Sequence, residues 1–345
     1  MSNITVIGID LAKNVFQVCG LNRANKVIFN KSVKRDRLGS EIRQYPAAVI
    51  AMEACGSAHY WGRELTALGM TVKLIPAQHV KALTRGNKND AGDALAIAEA
   101  VHRPGIHSVP IKSVGQQDIQ TLLRIREGYV SSRTALVNQV RGLLAEYGVV
   151  IAVGVGRFHA AIPAVVEDGD NGLTPLVRSA IGSQYQSYLA LCERIKAADT
   201  ELRGLITDHP VCRQLVRLRG IGPITALTLY ASVGTASQFK NARQFAAWLG
   251  LVPKHTGTGG KVKLGPMSKR GSRTLRTLMV HGARSVLHWA HRRDDAFSQW
   301  ATAIAQRRGK HKATVAIANK SARMVWVALN QGIDALPRHH LSMAS

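Results

Sequence analysis

The chain has 345 residues, 46% of them hydrophobic, and carries 46 Lys+Arg against 21 Asp+Glu for a formal charge of +25. That apolar content can bury a core over two or three domains, which excludes a disordered basic tail. No run of about twenty apolar residues interrupts the charges, and a strand pattern begins at once, so neither a membrane span nor a signal peptide is expected and the chain reads as soluble and cytoplasmic.

The charge is unevenly spread. Residues 1–103 hold 14 Lys+Arg against 8 Asp+Glu, residues 104–209 hold 10 against 10, and residues 210–345 hold 22 against 3. A third of a protein almost without acids is an electrostatic footprint for polyphosphate, because each neutralised phosphate releases counterions. Cys19, Cys55, Cys192 and Cys212 lie far apart with no zinc spacing among them. They read as reduced, mostly buried small hydrophobes.

In chain order, ITVIGID, VFQVCGLN and KVIFNKSV read as three strands separated by turn residues, and AAVIAME and TVKLIP as two more with the helix WGRELTALG between them. HVKALTRGNKND is polar and reads as mobile, and a helix runs from Asp90 to about Arg103, ahead of Pro104. Two long helical patterns follow over 113–148 and 173–208, with a glycine-rich segment between them. They read as an antiparallel coiled-coil hairpin or, equally on pattern, as core helices of an ordinary helical domain. From Pro210 the chain reads as a small basic helical domain. The expected architecture is therefore α/β plus α, divided at 1–108, 109–209 and 210–345.

Four carboxylates stand out against the basic background: Asp10 and Glu53 end apolar strands, and Asp90 and Asp93 open a helix. Residues three apart on a helix share a face with Cβ atoms about 5–6 Å apart, and the helix N-terminus favours their ionised form. Such a set suits a pair of Mg²⁺ ions about 4 Å apart, clamping both oxygens of a phosphodiester undergoing displacement. Taken singly, each acid has a plainer reading as a helix cap or a surface residue.

Two later motifs bear on phosphate. LRGIGPITA resembles the turn of a helix-hairpin-helix, where Gly220 and Gly222 let backbone N–H groups approach a phosphate, although a helix C-cap would use the same glycines. In GPMSKRGSRTLRTLMVHGA, Ser268 precedes Lys269, Arg270, Arg273 and Arg276, and a helix starts near Ser272. A hydroxyl beside guanidinium groups and a helix N-terminus can attack a bound phosphate. Spacing alone favours a capping serine with arginines that bind phosphate without chemistry.

GIDLAKNVF, MEACGSAHYW, KNDAGDALAIAEA, LRGIGPITA and MSKRGSRTLR, in this order over nearly the whole chain, resemble the DEDD transposases of the insertion sequence 110 family, also described as bridge-RNA-guided recombinases and related to the Piv-type DNA invertases. The resemblance implies a RuvC-like, ribonuclease-H-type domain, a coiled coil and a C-terminal transposase domain. It carries metal binding (Mg²⁺ or Mn²⁺) over to Asp10, Glu53, Asp90 and Asp93, and a nucleophile forming a serine–DNA link over to Ser268, with Ser272 as the competing position. It also implies donor and target DNA, a structured noncoding guide RNA, association with the bacterial nucleoid, and a dimer or tetramer. The alternative is a RuvC-like metal-dependent nuclease or resolvase in which water replaces the serine.

Overall fold

A computed structural model describes residues 4–84 and 89–342. The chain divides into two compact units, Met1–Val114 and Gly115–Ser345. Among the described residues no helix is long and apolar enough to cross a membrane.

The first unit is built on five strands, β1 (Ile4–Asp10), β2 (Val15–Asn22), β3 (Val27–Lys34), β4 (Val49–Glu53) and β5 (Thr71–Ile75), in the order β3-β2-β1-β4-β5. β1, β2 and β3 form an antiparallel meander, while β1, β4 and β5 run parallel. The short α1 (Leu38–Ile42) and α2 (Ala58–Ala67) cover one face, where Ile7, Ile9, Phe16, Ile50 and Met52 pack with Leu38, Trp61 and Leu65. On the other face, α3 (Ala77–Leu83) and α4 (Asp90–Ala100) pack through Val80, Ile97 and Ala100 against Ala51 and Ile75. Parallel strands covered on both faces read as continuous apolar runs, as VIAM and ITVIGI do here.

α4 lies unusually close to β1. A Cβ at Gly8 would overlap the Ala94 carbonyl oxygen and the Ala98 amide nitrogen, so only glycine permits this contact. The polar-looking segment after β5 departs from expectation. Its first part is helix α3, because Val80 and Leu83 find an apolar seat against α4 that a local reading of HVKAL cannot supply. Residues 85–88 of that segment lie outside the described residues.

The second unit begins with a helical hairpin, α5 (Val114–Ala145) and α7 (Pro175–Asp208). The buried residues of α7 are Ile181, Tyr188, Ile195 and Leu202, spaced by seven throughout. A seven-residue repeat is the seam of a left-handed coiled coil. The helices are antiparallel: Ile119 of α5 clusters with Leu202 of α7, Arg126 pairs with Asp199, and Val137, Val140 and Leu144 meet Tyr188 and Ile181.

The glycine-rich stretch between them, which the sequence did not place, contains α6 (Val155–Glu167), packed by Phe158 and Ile162 on α7. Pro163 lies inside α6 and cannot donate to the carbonyl four residues earlier. The Tyr185 hydroxyl donates to that His159 carbonyl at 3.3 Å instead. Arg178 then caps the end of α6, donating to the carbonyls of Val165 and Val166 at 3.1 and 2.8 Å.

The remainder holds α8 (Pro210–Val216), α9 (Pro223–Val233), α10 (Ala242–Trp248), a hairpin of β6 (Pro253–Thr258) and β7 (Lys261–Met267), α11 (Arg273–Trp289), α12 (Ala296–Arg308) and α13 (Lys310–Gln331). Their core runs through Leu215, Leu229, Phe245, Leu275, Phe297 and Ile317. The hairpin departs from the all-helical expectation. Gly259 and Gly260, both with positive φ (56° and 76°), make the two-residue turn between antiparallel strands. β6 is exposed along its length, so the strand lacks the buried alternation that betrays strands in sequence.

Two glycine substitutions separate packing from propensity. Gly8→Ala should cost about 1–3 kcal/mol by overpacking α4 against β1. Gly128→Ala, at an exposed helical position where an added Cβ meets nothing within 4 Å, should stabilise by about 0.5–1 kcal/mol. Urea unfolding of both variants, followed by circular dichroism, checks the pair of opposite signs.

Candidate active site and nucleic-acid interface

In the first unit, the parallel register of β1 and β4 pairs Ile9 with Met52, so Asp10 and Glu53 leave the sheet side by side. Open sheets bind ligands at the carboxyl ends of parallel strands, where such residues emerge. Both side chains are half-buried. Burial pushes the nearby Cys55 thiol up, and the charges of Glu53 and Asp10 push it the same way. One thiol thus senses both carboxylates.

The N-terminus of α4 is capped by Asn89, whose Oδ1 accepts from the Gly92 N–H at 2.6 Å. Asp90 and Asp93 occupy the first turn. Asp90 is exposed, whereas half-buried Asp93 accepts a hydrogen bond from Thr84 Oγ1 at 3.2 Å. The fold therefore brings Asp10 and Glu53 together and holds Asp93 on Thr84. Among the described residues, no three His, Cys, Asp or Glu side chains gather closely enough to hold a metal ion. The oxygen donors fit a hard divalent cation in kind; a complete ligand set is not assembled in this arrangement.

In the second unit, the turn between α8 and α9 is pressed onto α11. Gly220 has φ +81°, and a Cβ there would lie 2.9 Å from the Gly282 carbonyl oxygen; a Cβ at Gly282 would in turn strike the Gly220 oxygen. Packing on α11 is thus sufficient to require Gly220. Gly222 is different: it is exposed, has open space around its Cα, and stands at the N-terminus of α9.

Arg219 turns inward from this motif and is almost fully buried. Its Nη1 donates to both oxygens of Asp295 at 2.9 Å, and its Nη2 donates to Ser298 Oγ at 2.8 Å. Burial raises the Asp295 carboxyl. Hydrogen bonds from the Ser298 backbone and hydroxyl and from Arg219, with the guanidinium charge, outweigh that effect and leave it below its usual value.

The segment Ser268–Ser272 is locked onto residues 248–250. A Cβ at Gly250 would overlap the Arg270 backbone, and one at Gly271 would overlap the Trp248 carbonyl oxygen. Within this loop Lys269 adopts φ +55°, a left-handed conformation that is strained for a side-chain-bearing residue. The two serines differ. Ser272 Oγ accepts from the Leu275 N–H at 3.3 Å and caps α11, whereas Ser268 Oγ is buried with no hydrogen-bond partner among the described residues. Arg276 donates to the Arg270 carbonyl at 3.1 Å and braces the loop, while Lys269, Arg270 and Arg273 are exposed.

A cleft of about 560 Å³ opens beside this loop, lined by Ser272, Arg273 and Thr277 of α11, Thr228 of α9, and Arg124 and Arg126 of α5. The two α5 arginines were not singled out from sequence. Their one signal is Arg126 itself, a cation that with Arg133 interrupts the seven-residue step from Ile119 to Val140.

Comparison with known proteins sets these elements in a family. Residues 7–149 match the DEDD transposase family of insertion sequence IS110, and residues 212–299 match the transposase family IS116/IS110/IS902. The transposase for insertion sequence element IS1111A of Coxiella burnetii is 41% identical over 331 residues, covering 96% of this chain and 91% of that protein. This chain belongs to the IS110 family of transposases. A probable family 20 transposase of Pseudomonas aeruginosa is 44% identical, with 95% of this chain and 98% of the relative covered. The transposase of IS1328 from Yersinia enterocolitica is 34% identical over 96% of this chain and 98% of its own length. In this IS110-family transposase, the first matched stretch contains Asp10, Glu53, Asp90 and Asp93, and the second contains Gly220, Gly222 and Ser268.

The buried Arg219 guanidinium, paired with half-buried Asp295, predicts a large stability effect away from the exposed loop. Arg219→Ala leaves Asp295 without its guanidinium and should cost about 3–5 kcal/mol in urea unfolding; a wild-type midpoint would refute the pair's role.

Neighbouring His340 is buried, and burial, then His339, Lys320 and Arg219, lower it to about 4 against the opposing pull of Asp295. Its folded value lies below its unfolded one, near 6.5. The unfolded chain therefore takes up a proton that the folded chain refuses, and stability falls as pH drops from about 6.5 to about 4. His340→Gln should flatten that part of the stability-against-pH profile.

Proposed function

We propose that this chain catalyses insertion-sequence transposition by metal-dependent cleavage and rejoining of DNA strands, through a transient link between DNA and Ser268. The observation that carries this reading is the register of β1 and β4, which delivers Asp10 and Glu53 from one edge of the sheet. In a RuvC-like first domain these two, with Asp90 and Asp93 from the first turn of α4, would hold Mg²⁺ or Mn²⁺. Such ions, when bound, polarise a phosphodiester and stabilise the charge on its oxygens.

The buried, unpartnered hydroxyl supports Ser268 over Ser272 as nucleophile, since Ser272 already spends its oxygen on the α11 cap. Ser268 Oγ bonds to phosphorus as the strand's own P–O bond breaks. Attack by a strand hydroxyl on that link frees the serine and makes the new junction, so the phosphodiester energy is kept. Exposed Lys269, Arg270 and Arg273, with the N-terminus of α11, bind the phosphate's charge before and during attack. Gly222 offers the N-terminal amides of α9 to a second phosphate. Arg276, whose Nη1 braces the loop through the Arg270 carbonyl, keeps further guanidinium donors for the phosphate met by Lys269, Arg270 and Arg273.

Three further elements belong to the same reading. The working division is 1–108, 109–209 and 210–345, as RuvC-like, coiled-coil and transposase parts. Sequence choice rests on a structured noncoding bridge RNA pairing with donor and target DNA. Several protomers, as a dimer or tetramer at the bacterial nucleoid, supply one site per strand.

Denaturing gels after incubation with DNA and Mg²⁺ test the chemistry. Wild type and Ser272→Ala should yield a protein-bound strand, with Ser272→Ala losing only about 1 kcal/mol of stability from its cap. Ser268→Ala should yield none. Asp10→Ala and Glu53→Gln should bind DNA normally while cleavage falls more than about 100-fold. Cleavage by wild type without any adduct would replace the serine by water and leave a RuvC-like nuclease.

A further inference from the structure

Strand β7 ends at Met267, and Ser268 is the next residue. The Ser268 N–H donates to the Val252 carbonyl at 2.8 Å, closing the base of the β6–β7 hairpin onto the serine loop. Hairpin and loop are therefore one continuous piece, and a strand held at Ser268 has the hairpin beside it.

The hairpin has two unlike faces. Opposite residues of an antiparallel pair share a face, as do residues two apart along one strand. The register sets Thr256 across from Lys263 and Thr258 across from Lys261. Lys254 joins that side: it stands two residues before Thr256, and its Cβ lies 3.5 Å from where a Cβ on Gly265 would be. Three lysines and two threonines thus share one face, all of them exposed. His255 and Leu264, opposite each other, belong to the other face. Among the described residues none of the three lysines is paired with a carboxylate. The sequence itself has no Asp or Glu from Pro210 to Arg293.

A face of cations and hydroxyls without an apolar side chain suits a repeating polyanion and offers an apolar partner nothing. Shape narrows the choice. Two strands about 4.8 Å apart make a slim ribbon, slimmer still toward the tip, where Gly257, Gly259 and Gly260 carry no side chain. The major groove of B-form DNA, about 12 Å wide, admits such a ribbon, whereas the A-form major groove of double-stranded RNA is too deep and narrow for it. Lys263 and Lys261 stand five and seven residues before Ser268. That is about 17 and about 24 Å along the strand, or about five and about seven base pairs of duplex.

We propose that the β6–β7 hairpin seats in the major groove of the DNA duplex flanking the phosphate brought to Ser268, with Lys254, Lys261 and Lys263 on its backbone. The ribbon positions the duplex and performs no chemistry. The inference rests on the reading of Ser268 as a residue that meets DNA, and its test measures binding alone.

Full-length protein is titrated, in the presence of a chelator, into a fluorescein-labelled DNA duplex and an RNA duplex of the same sequence, over a series of salt concentrations. Combining Lys254→Gln, Lys261→Gln and Lys263→Gln should reduce the salt slope for DNA by about 2.7, three phosphate contacts at about 0.9 each. The slope for RNA should change by less than half as much. The three corresponding Lys→Arg changes should restore the DNA slope. Removing the same charge from exposed positions of α7, by Arg194→Gln, Lys196→Gln and Arg203→Gln, should leave it as in wild type. Wild-type protein provides a second measurement that needs no variant to fold: bound DNA should protect Lys254, Lys261 and Lys263 from acetylation, read by mass spectrometry, while Lys196 stays reactive.

An unchanged DNA slope in the glutamine variant would overturn the proposal, as would unprotected hairpin lysines. So would an equal loss in the α7 variant, which would make the effect one of general charge, or an equal loss on RNA, which would give the ribbon to that partner. A wild-type protein that binds no DNA would instead overturn the functional reading beneath it.

Discussion

Helix α4 rests on strand β1 with only Gly8 between the two backbones, and the acidic edge of the first unit depends on that contact. The contact fixes how far α4 stands from the sheet, and so where its first turn presents Asp90 and Asp93. β1 at the same time pairs in parallel with β4, so Asp10 and Glu53 emerge together. Neither relation is a strong bond. Each is a steric and hydrogen-bonding register with little freedom to shift, because a one-residue slip in a strand would turn every side chain to the opposite face.

The second unit solves its positioning problem by the same means. Gly220 and Gly282 let the α8–α9 turn touch α11, and Gly250 and Gly271 let the serine loop lie flat on residues 248–250. Backbone pressed on backbone leaves a loop few alternatives. Lys269 can therefore be held at positive φ, a strain of order 1–3 kcal/mol that the surrounding contacts must overcome. The same locking leaves the hydroxyl of Ser268 buried and unsatisfied, while Ser272, four residues on, is absorbed into a helix cap. Two serines indistinguishable by composition are separated by where the hydrogen bonds go.

Much of the first unit was legible in the sequence because its strands are apolar, short and punctuated by turns. The five strand patterns and the carboxylates at two strand ends stand where they were read. The long helices were legible from their period. Three elements were not. α3 looks polar because its anchors, Val80 and Leu83, are few and their seat lies on another helix. α6 hides behind glycines and an internal proline whose missing bond is made good by Tyr185, a residue from α7. The β6–β7 hairpin has no buried face to impose an apolar alternation, so only its paired glycines announce it. In the site, the inward turn of Arg219 was invisible because its partner Asp295 lies 76 residues away. Sequence spacing can propose that acids share a helix face; whether an arginine faces solvent or the interior is decided by tertiary packing.

The coiled-coil hairpin has a mechanical corollary. Its aliphatic layers, Ile181, Ile195 and Leu202 of α7, are alike enough that they alone would set the alignment of the two helices only weakly. The Arg126–Asp199 pair, part-buried among those layers, and Tyr188 beside Arg133 strengthen that choice, because another alignment would separate the ion pair and displace the one large aromatic layer of α7. Two helices of 32 and 34 residues thereby share one preferred alignment. The arm behaves as a strut: a displacement imposed at one end is delivered to the other instead of being lost to slippage.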